Sequence, residues 1–256
     1  MIDTLISLQA PDAALRRAFP AARRDYLDWL LSQDEIPASY RAHPFADEAD
    51  LLACKREVEK ALGFSLGQLI RLLRVNRLLR SRADAAQNLK RATIRTPLGA
   101  MLALFSDKGL CLLEFADRKM LPRELKGLLK SFAGYGIVEG QGDAAALQCE
   151  LDEYFAGMRQ SFDIVLDMSG TDFQQQIWRI LQTIPYGETA SYKTQAERYG
   201  NAAAVRAVAN ANGQNRISIL IPCHRVIGSD GSLTGYGGGL HRKKYLLELE
   251  QQRHTS

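Results

Sequence analysis

The stretch Asn215-Arg216-Ile217-Ser218-Ile219-Leu220-Ile221-Pro222-Cys223-His224-Arg225-Val226 puts a thiol directly before an imidazole, after a proline and inside an apolar segment. A free cysteine is mostly protonated near neutral pH, so attack on carbon needs a neighbouring base, a cation or a helix N-terminus. Lone cysteines are more often buried and inert, and sequence neighbours need not face each other. Cys223 and His224 by themselves therefore leave two readings open, a nucleophile or a packed thiol beside a structural histidine. The remaining histidines, His43, His241 and His254, carry no signature of a papain-like Cys–His pair.

Working outward, Thr171-Asp172-Phe173-Gln174 has the capping-box spacing and predicts a helix running to Thr183. Pro185-Tyr186-Gly187-Glu188 reads as a turn. Ser191–Tyr199 and Ala202–Asn212 read as two short helices about Gly200-Asn201, a helix-turn-helix candidate, although many αα-hairpins share that pattern. Ala202, Ala203, Ala204, Ala207, Ala209 and Ala211 leave Arg206 as the long basic side chain of the second helix. Such a face suits close approach to a nucleic acid, with the arginine entering a groove or a base stack. It also suits tight helix packing with a surface arginine, which on this evidence alone is the commoner case.

The preceding segment, from Lys90, is mixed. Ala92–Thr96, Ala100–Ser106 and Cys111–Ala116 read as strands of a meander, separated by Pro97-Leu98-Gly99 and Asp107-Lys108-Gly109. Arg123–Phe132 and Asp143–Met158 read as helices, and Phe162–Leu166 as a further strand. Cys111 and Cys149 read as small core residues. Residues 1–90 read as helical: Ala13–Leu31, Asp47–Ala61 ending at Gly63, and a basic helix from Gln68 to Arg82, with Pro37 and Pro44 as interruptions. Arg71, Arg74 and Arg77 share a face of that basic helix, either solvated or in contact with phosphate.

The chain has 256 residues, 46% hydrophobic and 24% charged, with a net charge of +4. That is the composition of an ordinary globular protein, with one to three domains and a mild tolerance for a polyanionic partner. Cys54, Cys111, Cys149 and Cys223 form no CxxC pair and no zinc-ligand spacing, so neither a structural metal nor a disulfide framework is expected. Met1–Leu15 carries acids and only short apolar runs, unlike a signal peptide, and no segment has the roughly 20 apolar residues of a membrane span. A cytoplasmic protein is the expectation.

Taken together, Tyr192, Arg206, Asn215, Cys223-His224-Arg225, Gly235-Tyr236-Gly237 and Glu250 stand at the intervals of the 6-O-alkylguanine-DNA alkyltransferases, also called methylated-DNA–protein-cysteine methyltransferases. Phe173-Gln174-Gln175-Gln176-Ile177-Trp178 through Ile184-Pro185 is similar to that family too. The resemblance is specific from Thr171 onward and loose between Ala92 and that point. It implies an α+β fold: a helical region over 1–90, a small ribonuclease H-like α/β subdomain over 91–166, and a mainly helical DNA-binding and catalytic domain over 167–256.

The resemblance also implies a stoichiometric repair protein that acts on double-stranded DNA, flips 6-O-methylguanine out of the duplex and keeps its alkyl group on Cys223. His224 would act through a water as base toward the thiol, with Glu250 holding and charging the imidazole, and Asn215 would brace the turn. Tyr192 would crowd the target's phosphate and assist the leaving guanine. Arg206 would fill the vacated stack beside a small face of Ala203, Ala204 and Ala207. Val226, Tyr236 and Gly237 would line the pocket. No cofactor, metal or membrane is implied, and the family mostly acts as monomers.

Two departures carry expectations of their own. Arg216 replaces a common proline, which predicts a looser loop and an extra cation near DNA. Gly237 replaces a side chain in many members, which predicts a roomier pocket that admits larger alkyl groups. Residues 63–82 faintly resemble the linker helix of AraC-type activators, as carried by some adaptive-response alkyltransferases. The four-cysteine zinc module of those proteins has no cysteines here to build it. The alternative function is a DNA-binding transcriptional regulator or a damage sensor.

Overall fold

The computed structural model describes residues 11–33, 36–37, 45–80, 85–140 and 142–252. The reading of Met1–Ala10, Pro44 as an interruption, the predicted helix end at Arg82, and His43 and His254 lie outside the described residues.

The predicted helical run Ala13–Leu31 is broken into α1 (Pro11–Ala18), a 3₁₀ turn (Ala21–Arg23) and α2 (Arg24–Ser32). Pro20 is the cause, since it lacks an N–H and pushes the residue before it away from helical geometry. Helix α3 (Glu48–Leu62) starts where the Asp47 carboxylate accepts the Asp50 N–H and stops at Gly63, whose φ of 74° only glycine adopts without strain. Helix α4 (Leu66–Leu78) opens with a full capping box between Ser65 and Gln68. Arg77 turns inward from α4, its Nη2 donating to the carbonyls of Leu31 at 2.6 Å and Gln33 at 2.8 Å. This arginine braces the end of α2 and is not part of a free phosphate-binding face.

The meander forms as read, with β1 (Asn88–Thr96), β2 (Gly99–Ser106) and β3 (Gly109–Phe115) antiparallel in turn. Helix α5 (Leu121–Ser131) then crosses over and delivers β4 (Gly136–Glu139) parallel to β1, giving the order β3-β2-β1-β4. Strand β4 is four residues long and has no alternating pattern, so the sequence does not announce it. The strand expected over Phe162–Leu166 shrinks to one bridge, Leu110 with Leu166. Helix α6 (Gly142–Phe155) lies between β4 and that bridge.

Side chains alternate across the sheet, and both faces are covered. Leu102, Leu104 and Leu112 face a core shared with α1 to α5. Met101, Ala103, Phe105, Leu113 and Phe115 face a second core made with α6 and the C-terminal elements. Those elements are α7 (Asp172–Gln182), β5 (Ala190–Ser191), α8 (Tyr192–Arg198), a 3₁₀ turn (Ala202–Ala204), α9 (Val205–Gly213), a 3₁₀ turn (Cys223–Arg225), β6 (Val226–Ile227) and α10 (Leu240–Gln252). Thr171 caps α7 with the predicted box. Ile177, Ala196, Val208 and Ala211 form a small core among α7, α8 and α9. The buried carboxamides of Gln195 and Asn212 exchange two hydrogen bonds, of 3.1 and 2.7 Å, locking α8 to α9. The mixture of helix and sheet is the α+β class expected.

Candidate functional site

The loop from Gly213 to Val226 is anchored on β3. Leu113 N–H donates to Arg216 O and Ser218 N–H donates to Leu113 O, both at 2.8 Å. From that anchor the chain reverses sharply, with Ile219 at φ 74°, a costly conformation for a β-branched residue. Pro222 then leads into the 3₁₀ turn that begins with Cys223.

Asn215 is buried inside this reversal and uses both ends of its carboxamide. Oδ1 accepts the Ile217 N–H at 3.0 Å, while Nδ2 donates to Ile221 O at 2.9 Å and to Cys223 Sγ at 3.2 Å. Burial pushes the Cys223 thiol up from its ordinary value and Glu114 adds to this, while the Asn215 hydrogen bond, Arg118 and Lys243 pull it down.

His224 is 0% exposed, and its Nε2 lies 2.8 Å from Glu250 Oε1. Burial lowers the His224 pKa against the pull of Glu250, so the ring is neutral near pH 7. With Nε2–H committed to Glu250, the lone pair sits on Nδ1, which is buried and makes no hydrogen bond among the described residues. Glu250 also accepts from Tyr154 Oη at 2.7 Å, Arg225 Nε at 2.8 Å, Arg225 Nη2 at 3.1 Å and the Gly187 N–H at 3.2 Å. Burial works against its charge, but the bonds from His224 and Arg225 win and hold its pKa down to about 2.

Val226, fully buried, follows the turn, and Tyr236 stands edge-on to His224 with ring centroids 6.4 Å apart. Lys243 Nζ donates to Val226 O at 2.5 Å and to Thr234 O at 2.6 Å, joining the cysteine turn to the loop that carries Tyr236. Tyr192 opens α8 and donates to Thr234 O at 3.4 Å, so its hydroxyl lies over the same loop. Arg206, Ala203 and Ala207 are exposed and Ala204 is half-buried, on the outward side of the second helix of the pair.

The structure thus brings Cys223, Asn215, His224 and Glu250 into one buried cluster, with Val226, Tyr236 and Tyr192 around it. Arg206 and the alanines sit on a separate outer surface.

The two departures turn out differently from expectation. Arg216 is half-buried, and its guanidinium donates to Ser169 O at 3.0 Å. It ties the loop to the protein in place of the missing proline and is not a free cation. Gly237 leaves no extra room, because a Cβ there would lie 2.3 Å from Cζ of Arg118. Among the cysteines, Cys111 is buried as read, but Cys149 is exposed on α6.

Sequence reading missed Tyr154, Arg118, Glu114 and Lys243. Tyr154 meets Glu250 from 96 positions away, whereas Arg118 and Glu114 are four residues apart and that spacing alone does not mark a site. Arg225 is part of the Cys223-His224-Arg225 string, but its pairing with Glu250 is a tertiary contact. Among the described residues, no group of three or more His, Cys, Asp or Glu side chains could hold a metal ion, and no helix is long and apolar enough to cross a membrane.

Comparison with known proteins places this geometry among relatives. The model of the 6-O-methylguanine DNA methyltransferase DNA-binding domain matches residues 172–252. A methylated-DNA–protein-cysteine methyltransferase of Mycolicibacterium paratuberculosis is 46% identical over 163 residues, 64% of this chain and 92% of the relative. Its namesake in Mycobacterium bovis is 59% identical over 104 residues, 41% of this chain, and the match spans 63% of that relative's length. A crystal structure of the Mycobacterium tuberculosis OGT protein in complex with DNA shares 42% identity at a TM-score of 0.55, covering 64% of this chain and 94% of that one.

Proposed function

The chain belongs to the methylated-DNA–protein-cysteine methyltransferase family, and we propose that it repairs DNA by moving the alkyl group of 6-O-methylguanine onto Cys223. The observation that carries this reading is the buried chain of contacts around the thiol. Asn215 holds Sγ at 3.2 Å, and the adjacent His224 is fixed by Glu250 with its Nδ1 left open.

In the transfer, Cys223 gives its proton through a water to Nδ1 of His224 and Sγ attacks the alkyl carbon in line. The S–C bond forms as the C–O bond breaks. The departing guanine anion takes a proton, assisted by the Tyr192 hydroxyl above the pocket loop. The imidazolium formed on the way is stabilised by the Glu250 carboxylate. Burial lowers the His224 pKa, which favours a neutral ring at rest whose positive charge is transient. A thioether is a poor leaving group, so each chain acts once. No step calls on a metal or an organic cofactor.

The reactive carbon lies inside the base stack, so the lesion must rotate out of the duplex. Arg206 suits the vacated space: it is exposed, on a face of Ala203, Ala204 and Ala207 that allows close approach to a groove. Val226, Tyr236 and Gly237 serve as walls for the flipped base. Residues 91–166 are read as the ribonuclease H-like part and 167–256 as the DNA-binding and catalytic part, in a monomeric, cytoplasmic protein. Residues 1–90 are read as a helical region whose helices α1 to α4 share a core with Leu102, Leu104 and Leu112 of the sheet. The regulator or sensor reading is not favoured, because the relatives compared carry the transferase name.

The test is transfer of a labelled methyl group from duplex DNA containing 6-O-methylguanine, with Cys223→Ala alongside and the label located by peptide mass spectrometry. One label per chain on Cys223, absent in the variant, is expected. Binding of the lesion with no transfer by the wild-type protein would refute the reading.

A further inference from the structure

Behind the pocket loop lies a buried charge cluster that the transfer steps above do not use. Arg118 follows β3 and is only 6% exposed. Its Nη1 pairs with Glu114 and approaches Asn215 O at 3.5 Å; its Nη2 donates to Glu124 Oε1 at 2.6 Å and to Gly213 O at 2.9 Å. Glu114 is 0% exposed and accepts the Ser218 hydroxyl at 3.0 Å and the Phe115 N–H at 2.9 Å. The pair therefore grips both ends of the reversal that carries Asn215, at Gly213–Asn215 and at Ser218.

The same guanidinium packs against Gly237, on the loop that carries Tyr236. A Cβ at that position would meet Arg118 Cζ at 2.3 Å, Nη1 at 2.5 Å and Nη2 at 2.6 Å. One planar group thus touches both the segment that positions Sγ and the loop that carries Tyr236. A cation held by carboxylates on two sides in a close-packed interior resists displacement.

Given the alkyl transfer to Cys223 proposed above, we propose that Arg118 is a positioning and specificity-determining residue for it, forming the back wall of the pocket at Gly237 and holding the Asn215 turn against Cys223. The glycine at 237 then widens nothing: its missing side chain is the space that the guanidinium occupies. Arg118 and Gly237 are a matched pair, and a side chain at 237 requires that the guanidinium be gone.

The experiment is a double-mutant cycle read by single-turnover transfer from 6-O-methylguanine in duplex DNA and from free 6-O-benzylguanine. Methionine ends where the guanidinium begins, and Glu114→Gln removes the fully buried carboxylate that Arg118→Met would otherwise strand, while Glu124 keeps Arg216 as a nearby cation, so the pair is tested as Arg118→Met with Glu114→Gln. Expected are a benzyl-to-methyl rate ratio raised at least about tenfold and a slower maximal methyl rate at an unchanged half-saturating DNA concentration. In the wild-type background Gly237→Ala is expected to slow methyl transfer at least about tenfold, and in the double variant by less than about threefold.

An unchanged ratio, or a Gly237→Ala cost equal in both backgrounds, overturns the role of Arg118. Should the double variant not fold, Gly237→Ala alone decides: methyl transfer at the wild-type rate overturns the proposal, and loss of transfer in a protein that melts normally supports it. A wild-type protein that transfers nothing removes both the transfer reading and this one; a wild type that transfers while the variants keep its ratio removes only this one.

Discussion

Replacing Glu250 by glutamine tests the charge that organises the site. Glu250 is 0% exposed and its pKa lies at about 2, against an ordinary 4.5. Its folded pKa is depressed, so its contribution to stability is fully present above about pH 4.5 and is lost as pH falls through about 2. At about 1.4 kcal/mol for each tenfold change in proton affinity, the contribution is about 3 kcal/mol at pH 7 and less than half of that at pH 3. An independent route gives a similar figure. Glutamine leaves the buried Arg225 guanidinium without its carboxylate, and breaking a buried pair from one side costs about 3–5 kcal/mol.

Protonated glutamate and glutamine have nearly the same shape and hydrogen-bonding groups, so the two proteins should converge in acid. Urea unfolding of wild type and Glu250→Gln should show a difference of about 3–4 kcal/mol at pH 7 that shrinks by more than half at pH 3. In a chain of this size the gap at pH 7 corresponds to a drop in Tm of roughly 7–14 °C. Less than about 1 kcal/mol at pH 7, or a difference that stays constant down to pH 3, would refute the argument that charge pairing holds this cluster together.

Asn215→Ala removes the hydrogen bond to Sγ, and transfer should slow about tenfold, the worth of one such bond; the pH dependence of Cys223 alkylation by iodoacetamide should move upward, and an unmoved profile counts against a direct effect on the thiol. Tyr154→Phe deletes a donor to Glu250 and should lower stability by about 1.5–3 kcal/mol in urea melts, the range for bonds to charged groups, with no loss expected only if Glu250 re-pairs. Arg206→Ala should slow transfer from duplex DNA at least about tenfold while leaving the free base 6-O-benzylguanine within about twofold, because only the duplex has a stack to fill; equal losses on both substrates would place Arg206 in a structural role.

Several features were legible because their physics is short-ranged. The box at Thr171–Gln174, the stop at Gly63 and the turns of the meander each depend on residues within a few positions of one another. The break at Pro20 was legible in principle and overridden by the apolar periodicity around it. The four-residue β4 and the lone bridge at Leu166 were not, since pairing with β1 and β3 decides both. Cys149 read as a core residue because lone cysteines usually are, yet its position on α6 turns it to solvent.

The sequence by itself determined which chemical groups are present and where the chain reverses. Cys223 beside His224 and Arg206 on a bare helix face follow from residue type and spacing, and the resemblance adds Asn215 ahead of the cysteine and Glu250 on the last helix. Only the tertiary structure decided what those groups feel. Tyr154 reaches Glu250 from α6, Lys243 joins Val226 to Thr234, Arg216 turns inward to Ser169, and Arg118 fills the space at Gly237. Most of these contacts bridge segments far apart in the chain. Their geometry is set by how the two cores close on the sheet, and burial there settles the protonation of the thiol and the imidazole, which no local pattern encodes.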